Sequence, residues 1–229
     1  MSLFKVDRNQ PFEGPHQKLK SKTYGASAAQ AKAAVILVHG RGASAESMFP
    51  LADEFNQPEV HFVAPQAANH TWYPHSFLEP IEKNQPGLSS GLQLLHDTLS
   101  GLLDEGIDRR KIMLLGFSQG SCLASEFVAR YPQQLGGLAA FSGGLIGPVV
   151  NLDQYKGSVG GTPVFLGCSD SDPHIPKERV DKTEEVFKKL KADVTKRIYK
   201  VMGHTINRDE IQFVSGMIDE MLKNTSGIE

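Results

Sequence analysis

The chain has little cysteine, almost no net charge and no long hydrophobic run, and each shortage excludes a class of protein. Two cysteines, Cys122 and Cys168, are too few for a disulfide-stabilised secreted fold, and we expect both to be reduced thiols. A net charge of −2 gives no reason to expect nucleic acid as a partner. The longest apolar run, Ala33–Val38, is far shorter than the roughly 20 residues of a membrane-spanning helix. We therefore expect no secretory signal, no stable membrane insertion and a cytoplasmic location.

What the chain does have is a regular alternation of apolar strands and amphipathic helices. Strands that are apolar throughout, separated by such helices, favour a mostly parallel central sheet with helices on both faces. We predict one α/β domain over residues 31–229, preceded by an arm or edge strands in residues 1–30, to which we assign no function. The predicted strands are 33–38, 60–63, 111–115, 137–141, 162–166 and 195–201, and the predicted helices are 44–55, 88–105, 119–131, 176–191 and 207–223.

The start of the last predicted helix is the most sharply defined boundary. Asn207 is a candidate N-cap, and Glu210 follows three places later, which is the spacing of a capping box. Apolar residues then recur on one helical face, so this helix is expected to pack on the sheet directly behind the loop that precedes it.

A serine flanked by glycines is the strongest functional signal. Residues 116–120 read Gly-Phe-Ser-Gln-Gly, directly after a predicted strand and directly before a predicted helix. In that context a GxSxG sequence is typical of a nucleophile elbow, in which Ser118 sits on a strained turn with its hydroxyl facing substrate. The pentapeptide alone could be an ordinary strand-to-helix turn. The partners expected of a serine nucleophile, in the order Ser, Asp, His, are the stronger test.

Both partners follow downstream. The loop after strand 162–166 contains Asp170 and Asp172, either of which could orient a histidine; we favour Asp172, because Pro173 fixes the backbone after it and Asp170 is well placed to brace the turn. His204 lies on a short loop between the last strand and the last helix. Its imidazole, with a reference pKa of about 6.5, can accept and return a proton at neutral pH. A capping or core histidine is the alternative.

An early glycine-rich loop and two long connections complete the predicted site. Residues 39–43 read His-Gly-Arg-Gly-Ala. Hydrolases with a serine on such an elbow bind the oxyanion with one amide of an early loop and with the amide of the residue after the nucleophile. The predicted oxyanion donors are therefore the backbone N–H groups of Arg41 and Gln119. The connections 65–86 and 142–161 are expected to border the cleft. Their candidate substrate-binding residues are Trp72, Tyr73, Phe77, Leu145 and Ile146. Met48 is a further candidate, and for Phe77 and Met48 simple loop packing is an equal alternative.

These motifs together resemble, in order and spacing, the phospholipase/carboxylesterase family that includes the acyl-protein thioesterases. The resemblance runs from about residue 33 to 222 and looks closest to the bacterial carboxylesterase branch. It implies an α/β-hydrolase fold with Ser118 as nucleophile, Asp172 as acid and His204 as base, and it supports Asp172 over Asp170. The segments that carry it are 39–42, the Trp72 loop, 116–120, 141–143, 172–176 and 203–204.

We predict a serine carboxylesterase that hydrolyses short to medium acyl esters through an acyl-enzyme. The acid loop adds Ile175 to the pocket candidates. The alternatives are an acyl thioesterase or lysophospholipase, a lactone or aromatic-ester hydrolase, and a ligand-binding protein that keeps the hydrolase fold. The expected partner is a small-molecule ester or thioester, and a homodimer is left open. We expect no metal site and no cofactor, because the histidines lack metal-ligand spacing and the nucleophile chemistry needs none.

Overall fold

The computed structural model describes residues 14–223, and a seven-stranded sheet lies at its centre. The order across the sheet is β1-β3-β2-β4-β5-β6-β7; only β1, at one edge, is antiparallel to its neighbour. The predicted α/β class with a mostly parallel sheet is confirmed. The strands are β1 Lys22–Gly25, β2 Ala33–Val38, β3 Val60–Ala64, β4 Ile112–Phe117, β5 Gly137–Phe141, β6 Pro163–Ser169 and β7 Asp193–Tyr199.

Five helices cover both faces of the sheet, which explains why the central strands are apolar on both sides. Along β2, Ile36 belongs to the apolar cluster that includes residues of α2, α3 and α4, whereas its neighbour Leu37 belongs to the cluster that includes residues of α1 and α5. Within residues 14–223, no helix combines the length and the apolar composition needed to cross a bilayer. The helices are α1 Phe49–Phe55, α2 Gly87–Asp104, α3 Gln119–Arg130, α4 Lys177–Lys189 and α5 Arg208–Lys223.

Two helix starts illustrate how local sequence sets the elements. The predicted helix 44–55 is split into a 3-10 turn at Ala45–Met48 and the α-helix α1, which has Pro50 in its first turn, where a missing N–H is tolerated. The predicted capping box of α5 is confirmed. Asn207 Oδ1 accepts from the Glu210 amide at 3.0 Å, and Glu210 Oε2 accepts from the Asn207 amide at 2.8 Å.

The strand order places the predicted site residues at one edge of the sheet. From β2 the chain proceeds outward to β3, and from β4 it proceeds outward to β5, so the topology switches between β2 and β4. Ligands of open α/β sheets bind beyond the carboxyl ends of the strands at such a switch point. The loop after β2 carries Arg41, and the turn after β4 carries Ser118.

Candidate active site

Ser118 occupies a strained turn between β4 and α3. Its φ of 56° and ψ of −121° are unusual for a residue with a side chain. Two glycines make the turn sterically feasible: a Cβ at Gly116 would collide with the Gly120 carbonyl, and a Cβ at Gly120 would collide with the Val38 carbonyl oxygen. The sequence therefore packs strand and helix tightly around Ser118.

The side chains of Ser118, His204 and Asp172 are linked by hydrogen bonds in that order. His204 Nε2 is 2.8 Å from Ser118 Oγ, and His204 Nδ1 is 2.8 and 3.0 Å from the two carboxylate oxygens of Asp172. In this arrangement the serine hydroxyl donates to Nε2, and Nδ1–H donates to the carboxylate. The side chain of Asp172 is fully buried, whereas that of His204 keeps 18% of its surface exposed. A proton can therefore pass between Ser118 and an imidazole that substrate can approach.

The carboxyl group of Asp172 is held in its ionised form. Burial by itself raises its pKa, but the hydrogen bonds from His204 and from the His174 and Ile175 amides outweigh burial, and the pKa lies below its ordinary value. Asp170 plays a different part, because its Oδ1 accepts from the Val201 amide at 2.9 Å. It braces the opposite loop, although we expected it to brace its own turn.

Two aromatic rings flank the imidazole of His204. The Phe117 ring lies 5.0 Å from it, between centroids, and the His174 ring meets it edge-on at 4.8 Å. These contacts restrict rotation of the imidazole about its side-chain torsions. His174 belongs to the acid loop, so that loop contacts the histidine by a carboxylate and by a ring.

The two residues predicted to supply the oxyanion donors lie on the loop after β2 and at the start of α3. Arg41 and Gln119 both line one cavity together with Ser118. No group within residues 14–223 accepts a hydrogen bond from the backbone N–H of either residue. Unengaged amides beside a nucleophile are the feature required of an oxyanion hole.

The side chains of Arg41 and Gln119 hold the connection that follows β3. The Arg41 guanidinium donates to the Pro74 and His75 carbonyl oxygens, at 3.0 and 2.7 Å. Gln119 accepts from the Trp72 amide at 2.9 Å and donates to the Tyr73 carbonyl at 2.8 Å. Sequence reasoning missed the role of the Gln119 side chain, because nothing local indicates which distant loop an amide will contact.

Trp72 requires a correction, because it does not line the cavity. It is fully buried, and its indole Nε1–H donates to the His39 carbonyl oxygen at 2.8 Å. His39 in turn accepts from the Ala67 amide through Nε2, and burial lowers its pKa, which favours the neutral ring. The His16 ring packs edge-on against the same indole. Trp72 is therefore a scaffold residue beneath the loop that carries Arg41.

The cavity beside Ser118 has a volume of about 650 Å³. Four predicted pocket residues, Met48, Tyr73, Phe77 and Ile175, line it. Leu145 and Ile146 do not, which corrects that prediction: both are buried, and their amides are bound by Thr183 Oγ1 and Glu126 Oε2. These bonds point connection 142–161 toward α3 and α4. Further lining residues, which share an apolar character, are Leu51, Phe117 and Ile206.

Two other features are not part of the predicted catalytic machinery. A cavity of about 840 Å³, lined in part by Phe213 and Met217, lies at the opposite edge of the sheet, where the parallel strands begin. Cys122 reaches the site cavity, but burial raises the pKa of its thiol to about 12, so it is no second nucleophile. Among the described residues, no group of three histidine, cysteine or acidic side chains could hold a metal ion.

Comparisons with known proteins agree on one family. A family model described as phospholipase/carboxylesterase matches residues 25–222. A solved phospholipase/carboxylesterase from Dyadobacter fermentans is 38% identical, with a TM-score of 0.85, over 88% of this chain and 96% of that one. Acyl-protein thioesterase 1 of Debaryomyces hansenii is 29% identical over 90% of this chain and 99% of that protein. The corresponding thioesterase of Kluyveromyces lactis is 28% identical over 86% and 96%.

Proposed function

The chain belongs to the phospholipase/carboxylesterase family and is a serine ester hydrolase, and from that premise we propose that Ser118, His204 and Asp172 are its nucleophile, base and acid. The observation that carries the proposal is the continuous hydrogen-bonded series from Ser118 Oγ through His204 to Asp172, with a closest separation of 2.8 Å at each link. Such a series meets the geometric requirement for a base-activated nucleophile.

In the proposed mechanism Ser118 Oγ attacks the carbonyl carbon of the ester while its proton passes to His204 Nε2. The oxyanion that forms is stabilised by the backbone N–H groups of Arg41 and Gln119. The imidazolium gives the proton to the departing alcohol. The acyl group then remains bound to Ser118. Water, deprotonated by the same imidazole, then releases the acid. Asp172 fixes the imidazole orientation and stabilises its positive charge throughout.

The cavity supports a small ester with an apolar acyl or alcohol group. Its volume of about 650 Å³ is typical of small-molecule sites, and aliphatic and aromatic side chains such as Tyr73, Phe77 and Ile175 form much of its wall. We therefore assign short to medium acyl esters as the substrate class. The cytoplasmic location stays a prediction, and a homodimer stays open.

A thioesterase activity is the second candidate, and the similarity to acyl-protein thioesterases favours it. The same nucleophile, base and oxyanion donors would serve, because a thioester differs only in its leaving group. Initial rates on butyryl and octanoyl esters, and on thioesters with the same acyl groups, rank the two activities. A ratio of kcat/KM in favour of the thioesters would replace the esterase assignment.

Removal of the nucleophile tests the central claim. In comparable triads, loss of the serine removes roughly six orders of magnitude in turnover. Ser118→Ala should therefore show no measurable hydrolysis of p-nitrophenyl butyrate and no labelling by a fluorophosphonate probe. Ser125→Ala is the matched control, since Ser125 is a buried serine of α3 whose hydroxyl has no partner among the described residues.

The same experiment separates an enzyme from a binding protein with a hydrolase fold. Rapid stoichiometric labelling of the unaltered chain, together with ester hydrolysis, supports the enzyme. A Ser118→Ala variant that hydrolyses the ester as fast as the unaltered chain would refute the proposal, and a chain that neither labels nor hydrolyses would favour the binding protein.

A further inference from the structure

The loop that carries His204 is held by side chains at the end of β6 and at the start of the loop that carries Asp172. The β7 strand ends at Tyr199, so sheet hydrogen bonds no longer fix the residues beyond it. The amides of residues 201–203 donate hydrogen bonds to side-chain oxygens instead. Asp170 Oδ1 accepts from Val201, and Ser169 Oγ accepts from Met202 at 3.0 Å and from Gly203 at 3.1 Å.

Ser169 is the centre of this arrangement. Its side chain is fully buried, and its Oγ also accepts from the Ser171 amide at 3.2 Å. A hydroxyl oxygen has two lone pairs, so the three N–H groups more than fill its acceptor capacity and share it, and its own hydrogen is left for Ser171 Oγ, 3.3 Å away. One hydroxyl therefore contacts the residue before Asp172 and the two residues before His204.

The loop that Ser169 and Asp170 hold is not in a relaxed conformation. Val201 has a φ of 51°, a left-handed conformation that β-branched residues rarely adopt, and its side chain is 84% exposed. Packing of that side chain cannot enforce the conformation. Strained backbone persists only where its surroundings over-determine it, and such backbone clusters at functional sites.

We propose that Ser169 is a positioning residue for the reaction, whose hydroxyl sets the placement of His204 relative to Asp172 and Ser118. The inference rests on the proposed function, because placement of the imidazole matters only if His204 is the base. Asp172 touches His204 directly, whereas Ser169 acts through the backbone on both sides of that contact. Neither composition nor spacing singles it out, since serine at a strand end is common.

Ser169→Ala tests the proposal, because it leaves the half-buried N–H groups of Met202 and Gly203 without their side-chain acceptor. A misplacement of about 1 Å costs on the order of a hundredfold in rate, so kcat on p-nitrophenyl butyrate should fall about tenfold to a hundredfold. KM should stay within about twofold, since Ser169 does not line the cavity. Ser125→Ala, the matched buried serine, should keep both constants within about twofold.

Two further measurements separate positioning from a general loss of stability. The downfield proton resonance of His204 Nδ1–H should broaden or shift in Ser169→Ala and stay unchanged in Ser125→Ala. In the unaltered protein, the Met202 and Gly203 amides should exchange with solvent deuterium more slowly than the Thr205 amide. The exchange measurement needs no variant, so it applies even where Ser169→Ala does not fold.

Three results would overturn the proposal: kcat of Ser169→Ala within twofold of the unaltered protein, a fall in kcat with the His204 resonance unchanged, or unprotected amides at Met202 and Gly203. These outcomes are distinguishable from failure of the proposed function. That failure appears in Ser118→Ala, which would then hydrolyse ester regardless of what happens at Ser169.

Discussion

Replacement of Trp72 by phenylalanine distinguishes a scaffold role from a pocket role. The substitution keeps an aromatic ring but removes the indole N–H that donates to the His39 carbonyl. A lost buried hydrogen bond and a smaller ring in a fully buried position together cost about 2 to 4 kcal/mol of unfolding free energy. For a domain of this size that corresponds to a fall in Tm of roughly 5 to 15 °C.

Trp72→Phe should also lower kcat, because the His39 carbonyl lies immediately before the loop that carries Arg41. His39 leads directly into the loop that carries Arg41, so a looser loop should reduce kcat by misplacing the proposed oxyanion donor. Trp72 does not line the cavity, so the relative rates on acetate, butyrate and octanoate esters should not change. Phe77→Ala is the contrasting variant: Phe77 lines the cavity, and its truncation should shift the preference toward longer acyl groups.

Urea unfolding and a series of p-nitrophenyl esters measure both effects. The expected result for Trp72→Phe is a lower unfolding free energy, a lower kcat and an unchanged acyl preference. A preference altered more than threefold, with unfolding free energy equal to that of the unaltered protein, would refute the reasoning and return Trp72 to the pocket wall.

Two further predictions concern buried ionisable groups. Burial raises the pKa of Glu210 to about 7, so the folded chain holds its proton more tightly than the unfolded chain, and stability falls as pH rises from about 4.5 to 7. The unfolding free energy of Glu210→Gln, relative to that of the unaltered protein, should therefore rise by up to about 3 kcal/mol as the pH increases from about 4 to about 8. Urea unfolding measures this difference, and a difference independent of pH would contradict the assignment. Burial also raises the pKa of the Cys122 and Cys168 thiols to about 12, so neither should react with dithiobis(nitrobenzoate) at pH 8 until guanidinium unfolds the chain; prompt reaction of the native protein would show that the thiols are accessible.

The strands and helices were predictable because their signals are local. The apolar segments that became β2, β4 and β5 are buried on both faces, so period and composition identify them without knowledge of their neighbours. The capping box at Asn207 was equally readable, since both of its hydrogen bonds join residues three apart. The chain order of Ser118, Asp172 and His204 predicted a common site, because each residue follows a strand and parallel strands end at the same edge of the sheet.

The remaining features depend on contacts between distant segments. Trp72 looked like a pocket residue because it lies on a long connection, yet its indole found a carbonyl 33 positions away. The amides of Leu145 and Ile146 are held by partners on α4 and α3, which turned a glycine-rich loop away from the cavity. The side-chain bonds of Gln119 and Ser169 likewise exist only once the fold brings their loops together. No periodicity in a single sequence encodes such pairings.

Arg41 connects the proposed oxyanion hole to the rim of the cavity. In the proposed mechanism its backbone N–H faces the reacting carbonyl, while its guanidinium donates to the carbonyl oxygens of Pro74 and His75 at the rim. If the Arg41 amide is the proposed oxyanion donor, a mutation that reshapes the rim to admit a bulkier molecule should also displace that amide. We therefore expect laboratory evolution toward a new substrate to require compensating substitutions at or near position 41.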